Sequence, residues 1–161
     1  MTTFEHGAAL VAAHTSPQTV PLTSIPNAAA LRVVVDRDSD VSLMLAGLNS
    51  RRVGRGLAPL QLEPRLCKIA YEHAADMVIR NYFDHYTPEG VSPFARMDQA
   101  HYPYGYAGEN IALDQSTPAA ELALWQSPEH RGNILEPHYA KVGIAAVTSH
   151  DGLVFVEGFS D

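Results

Sequence analysis

The chain has 161 residues, with 11 basic against 18 acidic side chains and a formal charge of -7, a size that suits one domain with an ordinary core. That balance and the lack of any Lys/Arg run argue against a nucleic-acid partner, and an anionic membrane surface would repel the chain on average. The one basic cluster, Arg51, Arg52 and Arg55, reads as a solvated helix end.

Residues 1–38 carry Pro17, Pro21 and Pro26 among many Thr and Ser, with no sustained period. They read as an irregular arm packed along a domain at 39–161. Leu31 to Val35 suits a short strand or a helix equally. The start, Met1 to His6, lacks a basic region, and apolar Gly7 to Ala13 is short and bounded by His6 and His14. That is a poor signal peptide. No apolar run reaches the ~20 residues that cross a bilayer.

Regular structure begins at the capping cluster Asp38-Ser39-Asp40. Val41, Met44, Leu45 and Leu48 then mark one apolar helix stripe, at the spacing i, i+3, i+4, i+7. Gly54 and Gly56 end this helix, and Leu57 to Leu60 form an extended connector. Pro64 suits the first turn of a second helix running to Asn81, with Leu62, Leu66, Ile69, Ala70, His73 and Met77 on one face. Cys67, the single cysteine, lies on that helix as a small apolar filler, and no internal disulfide is possible. Thr87-Pro88-Glu89-Gly90 is a turn, and Ser92-Pro93 opens a short helix through Met97. Thr117 caps a third helix begun by Pro118, with Leu122 and Trp125 inward and Ser127-Pro128 at its end. In the tail Val142, Ile144, Ala146 and Thr148 occupy alternate positions, as do Leu153, Phe155, Glu157 and Phe159. Asp151-Gly152 between those runs signals a β-hairpin. Helices first and a hairpin last predict an α+β domain in which helices cover a sheet.

Three short stretches place titratable groups beside turn-forming residues: Asn81 to His85, Gly108 to Ile111, and Ser127 to Arg131. Two imidazoles and a carboxylate, His85, His130 and Glu109, suffice for acid–base chemistry or for a metal with an open position. Glu109 opens a buried strand, so it must find a partner whatever the function; a structural His–Glu pair is the plainer reading. His73 reads as a core residue, and His101, His138 and His150 as solvated turn residues. Ser92 and Ser127 precede proline and read as caps rather than nucleophiles. Tyr102, Tyr104 and Tyr106 would present one aromatic face if their segment were extended, as a wall for a lipid, glycan or peptide; the alternative is a stripe packed beneath a loop.

The ordered series Leu48 to Arg52, Gly56 to Leu60, Phe83-Asp84-His85, Gly108 to Ala112, Trp125, Ser127 to Arg131 and Asn133 to Leu135 resembles the CAP superfamily in its short bacterial form. This is the SCP-like domain of cysteine-rich secretory proteins, antigen 5 and pathogenesis-related 1 proteins. The likeness runs from about Val41 to Phe159. It implies an α–β–α sandwich with a central antiparallel sheet flanked by helices, and a cleft lined by two histidines and two acids. His85, Glu109 and His130 match three of these. The second acid has no clear match, since Pro128 falls near its position, and Glu129 stands as the candidate fourth group. The resemblance further implies a secreted or periplasmic protein. Its cleft would bind Zn²⁺ or another divalent metal through His85, His130 and Glu109, or a hydrophobic or wall-associated ligand, with no organic cofactor. The alternatives are a metal-assisted, peptidase-like hydrolase with Glu109 as general base, and a non-catalytic interaction domain.

Overall fold

The computed structural model describes residues 9–13, as backbone, and residues 37–161. Leu31 to Val35, His6 and His14 lie outside the described residues. Strand β1 (Ala9–Ala13) falls within the stretch that reads as an irregular arm and pairs antiparallel with β3 (Tyr106–Asp114). The remaining elements are α1 (Asp38–Val53), β2 (Gln61–Leu62), α2 (Pro64–Arg80), α3 (Pro93–Gln99), α4 (Thr117–Gln126), α5 (Pro128–Ile134), β4 (Lys141–Thr148) and β5 (Leu153–Ser160). The sheet order is β1-β3-β5-β4-β2. Every pairing is antiparallel except the two-residue contact of β2 with β4.

The period-two pattern of the last strands sends side chains into two cores. On one face Phe155 and Phe159 join Val142, Ile144 and Ala146 beneath Met44 and Leu48 of α1, Leu124 of α4 and Ile134 of α5. On the other, Ala145, Val147, Val154 and Val156 pack against Ala70, Ala74 and Met77 of α2. All eight residues of β5 are buried. Because both sheet faces are covered, the strands read as nearly continuous apolar runs. The result is the expected α–β–α sandwich. Each large apolar side chain in these layers contributes roughly 1.5–3 kcal/mol of burial.

Several local expectations shift. Leu62 precedes α2 and lies in β2, 42% exposed, so it is not part of that helix's buried face. The cap of α2 is Glu63, whose carboxylate accepts from Leu66 N at 2.8 Å. Ser116 rather than Thr117 caps α4. Leu122 is 46% exposed, because Thr117, Ala120 and Leu124 form the inward stripe and Leu122 falls on the opposite side of the helix. Trp125 is partly buried against the first core. Pro128 does more than end α4: it occupies the first turn of α5, so His130 sits inside a helix and not in a turn. Arg52 is 1% exposed, not solvated. Its guanidinium donates to the carbonyls of Ala58, Ile134, Glu136 and Tyr139, tying the end of α1 to the connection between α5 and β4.

Candidate functional site

Asn81 ends α2 in the left-handed conformation (φ 56°), its N–H donating to Met77 O, and so turns the chain back along the helix. Tyr82 is then tied down through its hydroxyl, which donates to Asp76 at 2.6 Å. His73 Nε2 donates to the Asp84 carbonyl at 2.9 Å, and Tyr86 N donates to the Asp84 side chain at 2.9 Å. His85 is therefore fixed by bonds on both of its neighbours. Its own carbonyl accepts from Arg96 Nη1 at 2.8 Å. Arg96 belongs to α3, whose start is set by the Ser92 cap.

Glu109 comes from the interior strand β3. Across the sheet it lies opposite Gly158, which in turn lies opposite Gly143. Its two carboxylate oxygens are separately engaged: Oε1 with His85 Nδ1 at 2.8 Å, Oε2 with Arg96 Nη2 at 2.6 Å. Burial by itself pushes this carboxyl up. The Arg96 charge and the His85 hydrogen bond outweigh that effect and hold it down at about 2. Because Glu109 is an ionised acceptor, Nδ1 of His85 carries the proton that joins them. His85 Nε2 is buried and has no hydrogen-bond partner among the described residues. His73, 1% exposed, is lowered to about 4 by burial and by the nearby Arg96 charge, so it is neutral at pH 7. With Nε2 donating to Asp84, its Nδ1 is a lone pair, also buried and unpartnered among the described residues.

Successive residues of a strand face opposite ways, so Asn110 points away from this cluster. It belongs to a second buried polar group under α5. Asn110 Nδ2 donates to Glu157 Oε2 at 3.0 Å and to the His130 carbonyl at 3.3 Å. Asn133 Nδ2 donates to Asn110 Oδ1 at 2.9 Å and to the Glu109 carbonyl at 3.2 Å. Burial, reinforced by the charge of Glu121, raises Glu157 to about 7 against the opposing Asn110 bond.

The predicted residues thus divide. His85 and Glu109 meet, with His73 and Arg96 as neighbours. His130 is buried and joins the second group through its backbone. Among the described residues no group of three or more His, Cys, Asp or Glu side chains that could hold a metal ion is found. Glu129 is exposed in the first turn of α5. The three tyrosines do not share a face. Tyr102 is buried with its hydroxyl on Ser160, Tyr104 donates to Asp98, and Tyr106 is 41% exposed and stacks on His138 at 4.2 Å. The reason is local: His101 takes a positive φ and residues 102–105 are not a strand, so alternation does not apply. Sequence reasoning missed Arg96 and Glu157. Glu157 carried a signal, being a carboxylate in the apolar row of Leu153, Phe155 and Phe159. Arg96 carried none.

A model of the CAP family, described as the cysteine-rich secretory protein family, matches residues 45–159. The uncharacterized protein YkwD of Bacillus subtilis (strain 168) is 40% identical over 112 residues, covering 69% of this chain and 43% of its own length. The chain therefore spans less than half of that relative. An extracellular protein containing a SCP domain from Bacillus anthracis str. Ames superposes with a TM-score of 0.67 at 26% identity, over 88% of this chain and 45% of the other. An outer surface protein from Borrelia burgdorferi shares the fold, with a TM-score of 0.74 at 20% identity over 80% and 96% of the two chains.

Proposed function

Because the chain belongs to the CAP family of cysteine-rich secretory proteins, we propose that it is a ligand-binding domain acting outside the cytoplasm, with His85 as the residue that meets the ligand. One observation carries this reading: the buried His85 offers Nε2 with no partner among the described residues, while Nδ1 is held by Glu109. An imidazole oriented in this way holds one polar atom in a fixed direction, and an incoming group reaches it by displacing the side chains that cover it. The ligand is a hydrophobic or wall-associated molecule carrying at least one hydrogen-bonding group for that nitrogen. The extracellular description of the Bacillus anthracis protein supports the location.

The same geometry disfavours hydrolysis with Glu109 as general base. A base works best with a pKa near the operating pH; Glu109 is held at about 2, with both oxygens already bonded. The test is to purify the secreted protein, identify bound small molecules by mass spectrometry, and titrate fatty acids, sterols and wall fragments. His85→Ala should lose about tenfold in affinity, the upper end for one neutral hydrogen bond, while its circular dichroism stays that of the parent. Ligand affinity unchanged in His85→Ala, or no ligand at all, would sink the proposal. A turnover abolished by Glu109→Gln would favour the hydrolase instead.

A further inference from the structure

We propose that Arg51, Arg55 and Arg131, gathered on the Trp125 indole, form a binding site for a phosphate-bearing ligand, separate from the His85 cluster. The guanidinium carbons lie 4.8, 5.4 and 5.8 Å from the ring centroid. They come from three places: the last turn of α1, the turn that follows it, and α5. The basic cluster that the sequence shows at 51–55 is thus rebuilt in space. Arg52 leaves it for the core, and Arg131, distant in sequence, takes its place.

Charge accounts for the anion. Arg51 is paired with Glu121, Nε to Oε1 at 2.8 Å and Nη2 to Oε2 at 3.1 Å. Arg131 donates Nη1 to the Trp125 carbonyl at 3.2 Å. Neither Arg55 nor Arg131 forms an ion pair among the described residues. The cluster therefore keeps two positive charges that no bonded carboxylate offsets, in a chain whose formal charge is -7. One guanidinium over an indole is an ordinary packing contact. With Arg51 held by Glu121, Arg55 and Arg131 keep their charges over the same ring. An oxyanion close to both would offset those charges, and a local positive field on an otherwise acidic molecule favours such an encounter. Guanidinium forks match the oxygens of a phosphate through paired N–H bonds. Arg55 is exposed, and Trp125 and Arg131 are half-buried, so the group is open to solvent.

The phosphate can belong to a soluble ester or to a lipid headgroup. Trp125 is the only tryptophan of the chain, so its emission reports the site directly. Inorganic pyrophosphate should change that emission saturably, and sodium chloride at matched ionic strength should not. Arg55→Gln, an exposed substitution outside the buried cores, should weaken the response about five- to tenfold, the scale of a partly solvated charged hydrogen bond. The double variant Arg55→Gln, Arg131→Gln should remove it. Vesicles of phosphatidylglycerol, compared with phosphatidylcholine, separate the sources: a response confined to the former, without one to pyrophosphate, assigns the phosphate to a lipid. A flat titration in both arms overturns the proposal, and so does a response that Arg55→Gln leaves undiminished.

Discussion

Glu109 and Glu157 are buried carboxyls on adjacent strands, and their surroundings drive them in opposite directions. Glu109 has a guanidinium on one oxygen and an imidazole N–H on the other. Glu157 has one amide donor on Oε2, and its Oε1 has no partner among the described residues. Desolvation favours the neutral acid in both cases. Only at Glu109 is there a cation close enough to reverse it. Arg96 is therefore the residue on which the His85–Glu109 arrangement depends, since it bonds both the carboxylate and the His85 carbonyl. Arg96→Met should leave a buried charge with one partner and cost about 3–5 kcal/mol at pH 7. With Arg96 gone, burial dominates and the Glu109 pKa rises, so the deficit should shrink as the pH is lowered toward 4. Urea unfolding of parent and variant at both pH values measures this. A loss below about 1 kcal/mol at pH 7 would show that Arg96 is replaceable by solvent.

At the scale of elements, α2 and β4 approach each other closely at Gly143. A Cβ placed on Gly143 would lie 2.1 Å from the Leu66 backbone carbon and 2.4 Å from Cys67 N. The obstacle is backbone, which has no rotamer by which to yield. Gly143→Ala must then move α2 off the sheet, at a cost of about 3 kcal/mol or more, and calorimetry should show it as a lowered Tm. A variant as stable as the parent would mean that the helix shifts freely. That contact also marks where sequence legibility stops. The stripes of α1 and α2 and the alternation of β4 and β5 are local patterns, and each predicts its element. Pro128 reads locally as a stop, whereas in space it starts α5, because a proline at the first helical position loses no hydrogen bond. Arg52 reads as surface because its four carbonyl acceptors come from other segments, three of them more than 80 residues away in sequence. His85 and Glu109 were legible as a pair because a carboxylate opening a buried strand needs a partner. Arg96, supplied by a separate short helix, left no mark in the pattern.

For the whole molecule, the sheet separates the two carboxyls onto opposite faces, and their linkage to pH has opposite sign. Glu109, depressed from 4.5 to about 2, contributes stability that is present above pH 4.5 and lost as the pH falls toward 2. Glu157, raised from 4.5 to about 7, acts the other way. Below pH 4.5 it is protonated in both folded and unfolded chains and has no effect. Between 4.5 and 7 the unfolded chain ionises while the folded one keeps its proton, so stability falls as the pH rises. Above 7 the full penalty, roughly 3 kcal/mol for a displacement of that size, is in place. Glu157→Gln keeps an acceptor oxygen for Asn110 and cannot ionise. Its stability should equal that of the parent near pH 4.5 and exceed it progressively up to pH 8.5, by as much as about 3 kcal/mol. Unfolding free energies of the two proteins at pH 4.5, 6 and 8.5 provide the comparison. Parallel curves would mean that Glu157 keeps one protonation state throughout, and that the polar group under α5 is held by its amide bonds alone.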